Sequence, residues 1–96
     1  MSAIRREGDR LTVSGPIHIS NARALLAQGA ALLAPEVTLV DLAEVTDVDS
    51  AAVSLLLEWQ RQAARLGRRL RFAHLPASLK SLAVLYGVTE LLPEEA

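Results

Sequence analysis

The chemistry of this chain centres on one hydroxyl set among acids, Thr46-Asp47-Val48-Asp49-Ser50-Ala51-Ala52-Val53. An apolar run enters this stretch and another leaves it, so the serine is delivered to the start of a helix. Asp or Ser at such a place accepts bonds from free backbone N–H groups. A hydroxyl there is also partly exposed at the positive end of the helix dipole. A phosphate on it would add about −1.5 to −2 charges near those N–H groups, and Asp47 and Asp49 would repel it. Ser50 therefore reads in two ways, as a helix cap and as a switch that a kinase or partner reads.

Other groups offer less. Asp41, Asp47 and Asp49 are the raw material of a cation site or an acid–base pair. No further ligand cluster accompanies them, so a solvated acidic loop and no metal are expected. His18 and His74 are far apart in sequence, with no carboxylate or hydroxyl evidently joining them into a triad. There is no cysteine, which excludes disulfides, thiolate catalysis and Cys-based zinc or iron–sulfur sites. Gly8, Gly15, Gly29, Gly67 and Gly87 are scattered and spell neither a phosphate loop nor a dinucleotide fingerprint. No enzyme activity and no cofactor are expected.

The elements that must position Ser50 follow from periodicity. Ala3 to Arg6 and Arg10 to Ser14 read as short strands about a Glu7-Gly8-Asp9 turn, closed by Gly15-Pro16. Ser20 is placed to cap a helix over Asn21 to Leu33. Its apolar face is Ala22, Leu25, Leu26, Leu32 and Leu33, with Gly29 on the same face either weakening the helix or letting it approach the sheet closely. Val37 to Leu42 reads as a central strand. The acidic loop and a helix from Ser50 to Leu66 follow, stopped by Gly67. Arg69 to His74 alternates as a strand. Pro76 opens a last helix, Ala77 to Tyr86, with Leu79, Leu82, Ala83 and Tyr86 as its stripe and Gly87 as its stop. Val88 to Leu92 is a short strand or turn. The order β-β-α-β-α-β-α predicts a sheet with helices packed against it.

Composition narrows the class. The 96 residues suit one domain spanning 1–96, and 51% hydrophobic residues can fill a core. A net charge of −1 and only Phe72, Trp59 and Tyr86 as aromatics argue against a nucleic-acid partner. The N-terminus carries no apolar signal core, and no apolar run approaches the roughly 20 residues of a membrane helix. A cytoplasmic protein is expected, without direct membrane insertion. Arg61, Arg65, Arg68, Arg69 and Arg71 cluster at the end of the second helix and the next strand, as a solvated face or a charged rim.

On a wheel, Ala52, Leu56, Trp59, Ala63 and Leu66 form the core side of the second helix, flanked by Leu55. Ser54, Glu58, Arg61 and Arg65 lie opposite. Leu57 falls on a shoulder with Ser50, Val53 and Ala64, an apolar patch beside the serine that suits docking.

At this point the chain resembles the STAS domain family (sulphate transporter and anti-sigma-factor antagonist). The residues that carry the likeness are Val40-Asp41-Leu42 and then Val48-Asp49-Ser50-Ala51-Ala52-Val53, with the order of strands and helices over nearly the whole chain. The run Val53-Ser-Leu-Leu-Leu-Glu-Trp-Gln, the Gly67 break and Leu82-Ala-Val-Leu-Tyr-Gly-Val resemble more narrowly the MlaB-type branch, the STAS subunits of bacterial phospholipid-transport ABC complexes. The resemblance implies an α/β STAS fold, a mixed sheet with helices mainly on one face. It implies a non-catalytic subunit that binds the ATPase subunit of such a complex, alongside its permease and lipid-binding subunits, and stabilises or regulates it. The protein would then be peripheral to the inner membrane through that partner, and Asp49, Ser50, Ser54, Leu57, Arg61 and Tyr86 would form the partner-binding surface. In antagonist-type members the matching serine is phosphorylated by an anti-sigma kinase, so the alternative expectation is an antagonist switched at Ser50. Antagonists commonly follow the acceptor with a small residue and then glycine, whereas Ala51-Ala52 stand here.

Overall fold

The computed structural model describes residues 2–95. Strands β1 (Ala3–Glu7) and β2 (Arg10–Ile17) form an antiparallel hairpin, in register from Glu7 opposite Arg10 to Ala3 opposite Ser14. Then come α1 (Ala22–Leu32), β3 (Leu39–Val48), α2 (Ser50–Arg65), β4 (Arg71–Ala73), α3 (Ala77–Leu85) and a single 3₁₀ turn, Thr89–Leu91. The sheet order is β1-β2-β3-β4, with β2–β3 and β3–β4 parallel, so the sheet is mixed and the fold α/β. Beyond β4, the Phe72 N–H donates to Pro93 O and the Glu95 N–H to Phe72 O, so the chain's end covers that sheet edge.

The strands separate two faces because side chains alternate. Leu11, Val40 and Phe72 are lateral neighbours across β2, β3 and β4, and each is 0% exposed. They join Leu25 of α1, Leu56 and Trp59 of α2 and Leu79 of α3 in one core. The next row, Arg5, Thr12, Asp41 and Ala73, belongs to the other face. That face is polar, with Arg5 paired to Glu44 at 2.7 Å and Arg10 to Asp41 at 3.4 Å. The helices therefore lie on one side of the sheet.

Two contacts fix α2. A Cβ at Gly29 would overlap the Trp59 indole, so α1 can lie against α2 there only without a side chain. The close approach is to a helix and not to the sheet, as the sequence suggested. The Trp59 indole N–H donates to Leu26 O at 3.4 Å, so the buried ring leaves no polar atom unpaired. At its C-terminus, Gly67 adopts φ 70° and donates to Ala64 O, while Arg68 donates to Ala63 O. Those two bonds are the Schellman closure, which a residue with a Cβ resists.

The structure departs from the sequence reading in several places. Strand β2 continues through Gly15-Pro16 to Ile17, pairing Gly15 with Val45 and Ile17 with Val48. Pro16 is tolerated because it falls within a register shift, where no regular ladder bond is demanded of it. Strand β3 accordingly runs on past Leu42 to Val48, taking in Thr46 and Asp47, with Glu44, Val45 and Val48 paired to β2; the acidic loop shrinks to Asp49 alone. β-Branched Val45, Thr46 and Val48 favour that extension. Ser20 does not cap α1. Asn21 holds that place, and its side chain accepts from the His18 N–H at 2.9 Å instead of capping the helix. Leu66, expected in the core, is 62% exposed because α2 ends at Arg65 and the wheel no longer applies. Val53, expected on the shoulder, is 3% exposed and belongs to the buried core at the base of the groove. Of the two alternatives for the segment after Gly87, strand or turn, the structure has the turn, a 3₁₀ turn over Thr89–Leu91.

Candidate functional site

The corner between β3 and α2 is built on Asp49. Its backbone is extended, as a helix N-cap requires, with φ −123° and ψ −170°. One carboxylate oxygen accepts from the Ala51 N–H at 2.8 Å, and the other accepts from the Ile19 N–H at 3.0 Å. The side chain thus caps α2 and ties it to the β2–α1 loop. The Ile19 hydrogen bond outweighs the desolvation acting against it. With the Ala51 N–H and the nearby His18, it holds this carboxyl below its ordinary 3.8. Capping therefore belongs to Asp49 and not to Ser50. Ser50 is the first helical residue, is exposed, and its hydroxyl makes no hydrogen bond among the described residues.

From Ser50 a stripe runs down α2 at helical spacing: Ser50, Ser54, Leu57 and Arg61. All four line an open groove of about 770 Å³ between the N-terminal halves of α1 and α2, and Tyr86 at the end of α3 lines it too. Asp49 sits beside this groove as the cap of α2 and does not line it. The opposite wall comes from Ala22, Arg23 and Leu26 of α1, with Ile19 before them. The sequence reading did not assign these four residues to the site. Arg23 and Leu26 share a helical face at i, i+3, but only the tertiary placement of α1 brings that face opposite Ser54 and Leu57.

The groove is apolar at its walls and charged at one margin. Ile19 is 82% exposed and Tyr86 52%. Arg61 pairs with Glu58 at 2.9 Å, and Glu58 also lies 3.8 Å from Arg65. No carboxylate among the described residues lies within ion-pair distance of Arg23.

Each histidine has a carboxylate that sequence separation hid. His18 Nε2 lies 2.9 Å from Asp47, and His74 Nδ1 lies 3.0 Å from Asp41. Asp47 is carried to His18 by the extension of β3. His74 takes the left-handed φ of 58° immediately after β4, which turns its ring onto the polar sheet face. Burial pushes the Asp41 carboxyl up. Hydrogen bonds from the Ala43 N–H and His74, with the charges of His74 and Arg10, outweigh that and hold it below 3.8. Neither pair engages Ser50, so no nucleophile–base–acid relay is assembled. Among the described residues, no three His, Cys, Asp or Glu side chains are grouped to hold a metal ion. In the arginine cluster, Arg68 and Arg69 donate to the backbone carbonyls of Val37 and Glu90.

The fold recurs among solved structures. The unphosphorylated form of the anti-sigma factor antagonist SpoIIAA matches with a TM-score of 0.67 at 14% identity, covering 100% of this chain and 89% of that one. The phosphorylated form of SpoIIAA, a Bacillus cell fate determinant, gives 0.68 at 13% identity, covering 100% and 92%. A protein from Thermotoga maritima described as an anti-sigma factor antagonist gives 0.77 at 11% identity, covering 97% and 84%. At such identities the likeness is one of fold. No curated protein sequence matches significantly. A family model described as "Mlab, STAS domain" matches residues 1–93.

Proposed function

The chain belongs to the MlaB STAS-domain family, and from that premise we propose that it is a non-catalytic subunit. It docks on the ATPase subunit of an inner-membrane phospholipid-transport ABC complex. The observation that carries this reading is the convergence of Ser50, Ser54, Leu57, Arg61 and Tyr86 on one groove that the chain itself leaves open. Such a groove offers an apolar interior with an aromatic on its rim, the composition from which binding hot spots are made. Asp49 supports the surface from behind by fixing the start of α2 against the Ile19 loop.

Regulation then follows from differential binding. A rigid domain favours one conformation of its partner only by the excess affinity it has for that conformation. No described helix is long and apolar enough to cross a membrane, so in this reading the permease and lipid-binding subunits are reached through the ATPase. The test is capture of the ATPase subunit by purified protein. Ser50→Asp and Leu57→Arg each abolish capture while retaining the helical circular dichroism signal. Normal capture by both variants would sink the proposed surface.

A second reading has its own support, in the Ser50 hydroxyl, exposed and without a hydrogen bond among the described residues, and in the fold shared with SpoIIAA. In it, the protein is an anti-sigma-factor antagonist released by phosphorylation at Ser50. Because Asp49 already caps α2, a phosphate would find the Ser50 hydroxyl unengaged but would face two carboxylates nearby. Mass spectrometry of the protein from its host decides the matter. A soluble kinase partner with phosphate on Ser50 selects the switch, and an ABC ATPase with unmodified Ser50 selects the transport subunit.

A further inference from the structure

The docking reading above is the premise for asking what occupies the groove. Its walls are helix side chains, Ala22 to Leu26 on one side and Ser50 to Arg61 on the other, with Tyr86 at the end. No strand residue lines it. An extended segment entering it would find no ladder to join and would leave its own backbone groups unpaired against an apolar trough. A helix satisfies its backbone internally and is recognised by side chains alone. The small side chains of Ala22, Ala51 and Ser54 let such a helix approach closely.

Charge narrows the occupant further. Arg61 is neutralised at 2.9 Å by Glu58. Arg23, on the facing wall, has no carboxylate within ion-pair distance among the described residues. A helix laid into the groove removes water from Arg23, and desolvating an unpaired cation is costly. The N-terminal turn of α1, which carries no acidic residue, borders the same groove and adds positive potential beside Arg23, whereas the Asp49 carboxylate offsets that of α2. The occupant must therefore supply an anion at that wall.

We propose that the groove takes an amphipathic helix of the ATPase subunit. Its apolar face packs on Leu26 and Leu57, and one of its acidic residues pairs with Arg23. Arg23 is then a specificity determinant: it admits helices with a correctly placed carboxylate and rejects those that present a lysine or an apolar residue there.

The experiment uses the full chain and the purified ATPase subunit of the host's phospholipid-transport ABC complex. Arg23→Met and Arg23→Glu are compared with wild type and Leu57→Arg by calorimetric titration and by hydrogen exchange of the ATPase. The expected result is a loss of affinity of about tenfold or more for Arg23→Glu, a smaller loss for Arg23→Met, and a weaker salt dependence in Arg23→Met than in wild type. Exchange protection on the ATPase falls on one helix that carries an Asp or Glu, and reversing that acid to Arg restores binding to Arg23→Glu. If Leu57→Arg loses binding while both Arg23 variants bind as wild type, or if the protected segment is a strand or loop, this inference is overturned and the docking surface stands. Wild-type affinity in Leu57→Arg overturns the docking surface itself.

Discussion

The seam between α1 and α2 is closed at one end and open at the other. At Gly29 the helices meet so tightly that a single methyl group would overlap Trp59. Toward their N-termini the same two helices part into a groove of about 770 Å³, edged by Ile19 and Tyr86. The closed end has traded every polar loose end for burial: Trp59 is fully covered and its N–H is bonded to Leu26 O. Among the described residues, the open end keeps a hydroxyl at Ser50 with no hydrogen-bond partner and an arginine, Arg23, with no carboxylate at ion-pair distance. One pair of helices thus divides the work in the proposed reading, with stability concentrated where side chains are locked and recognition where they are left free. Leu26 belongs to both ends, since its carbonyl holds the indole and its side chain lines the groove.

That contrast can be broken most severely at the closed end. Gly29→Val forces α1 off Trp59 and costs about 3 kcal/mol, a fall of roughly 12–24 °C in melting temperature for a domain of this size. Thermal denaturation checks it, and an unchanged melting temperature would mean the seam is not tightly closed. Acid acts next. Asp41 and Asp49 both titrate below 3.8 in the folded protein. Their contribution is fully present above the unfolded value and is lost as pH falls through the lower folded values. Stability therefore drops below about pH 4, and Asp41→Asn makes that acid limb shallower in a pH series of denaturant melts.

At the open end the effects on stability shrink while those on binding grow. Leu57→Arg changes folding stability by less than about 1 kcal/mol and removes ATPase capture. Smallest of all is Ser50→Ala, within about 0.5 kcal/mol of wild type, because Asp49 and not Ser50 caps the helix. Asp49→Ala loses the cap and the tie to Ile19, and melts at a lower temperature than Ser50→Ala. The reverse order of those two variants would return the capping role to Ser50.

The closed end was the more legible in sequence. Leu56, Trp59 and Ala63 repeat at helical spacing, and Gly29 interrupts an apolar face, so burial could be read from period alone, whereas the close approach at Gly29 was assigned to the sheet and is to Trp59. Half of the groove was equally visible, since Ser50, Ser54, Leu57 and Arg61 share one stripe of one helix. Its other wall was not. Ile19, Arg23 and Leu26 face that stripe only because the crossover from β2 to β3 lays α1 beside α2, a relation that local pattern does not encode. The partners of His18 and His74 were hidden for the same reason, each lying about 30 residues away on a neighbouring strand. The cap was misjudged by one residue. Asp and Ser are both strong N-caps, and their adjacency leaves the choice to backbone geometry, which extended Asp49 and made Ser50 helical.

The most direct test of the account is hydrogen–deuterium exchange of the protein alone and in complex with the proposed partner, the ABC ATPase subunit. Docking at the open end predicts new protection over residues 19–26 and 50–61, with the polar sheet face around Arg5 and Thr12 unchanged. Protection confined to that sheet face, with the groove exchanging as in the free protein, would contradict it.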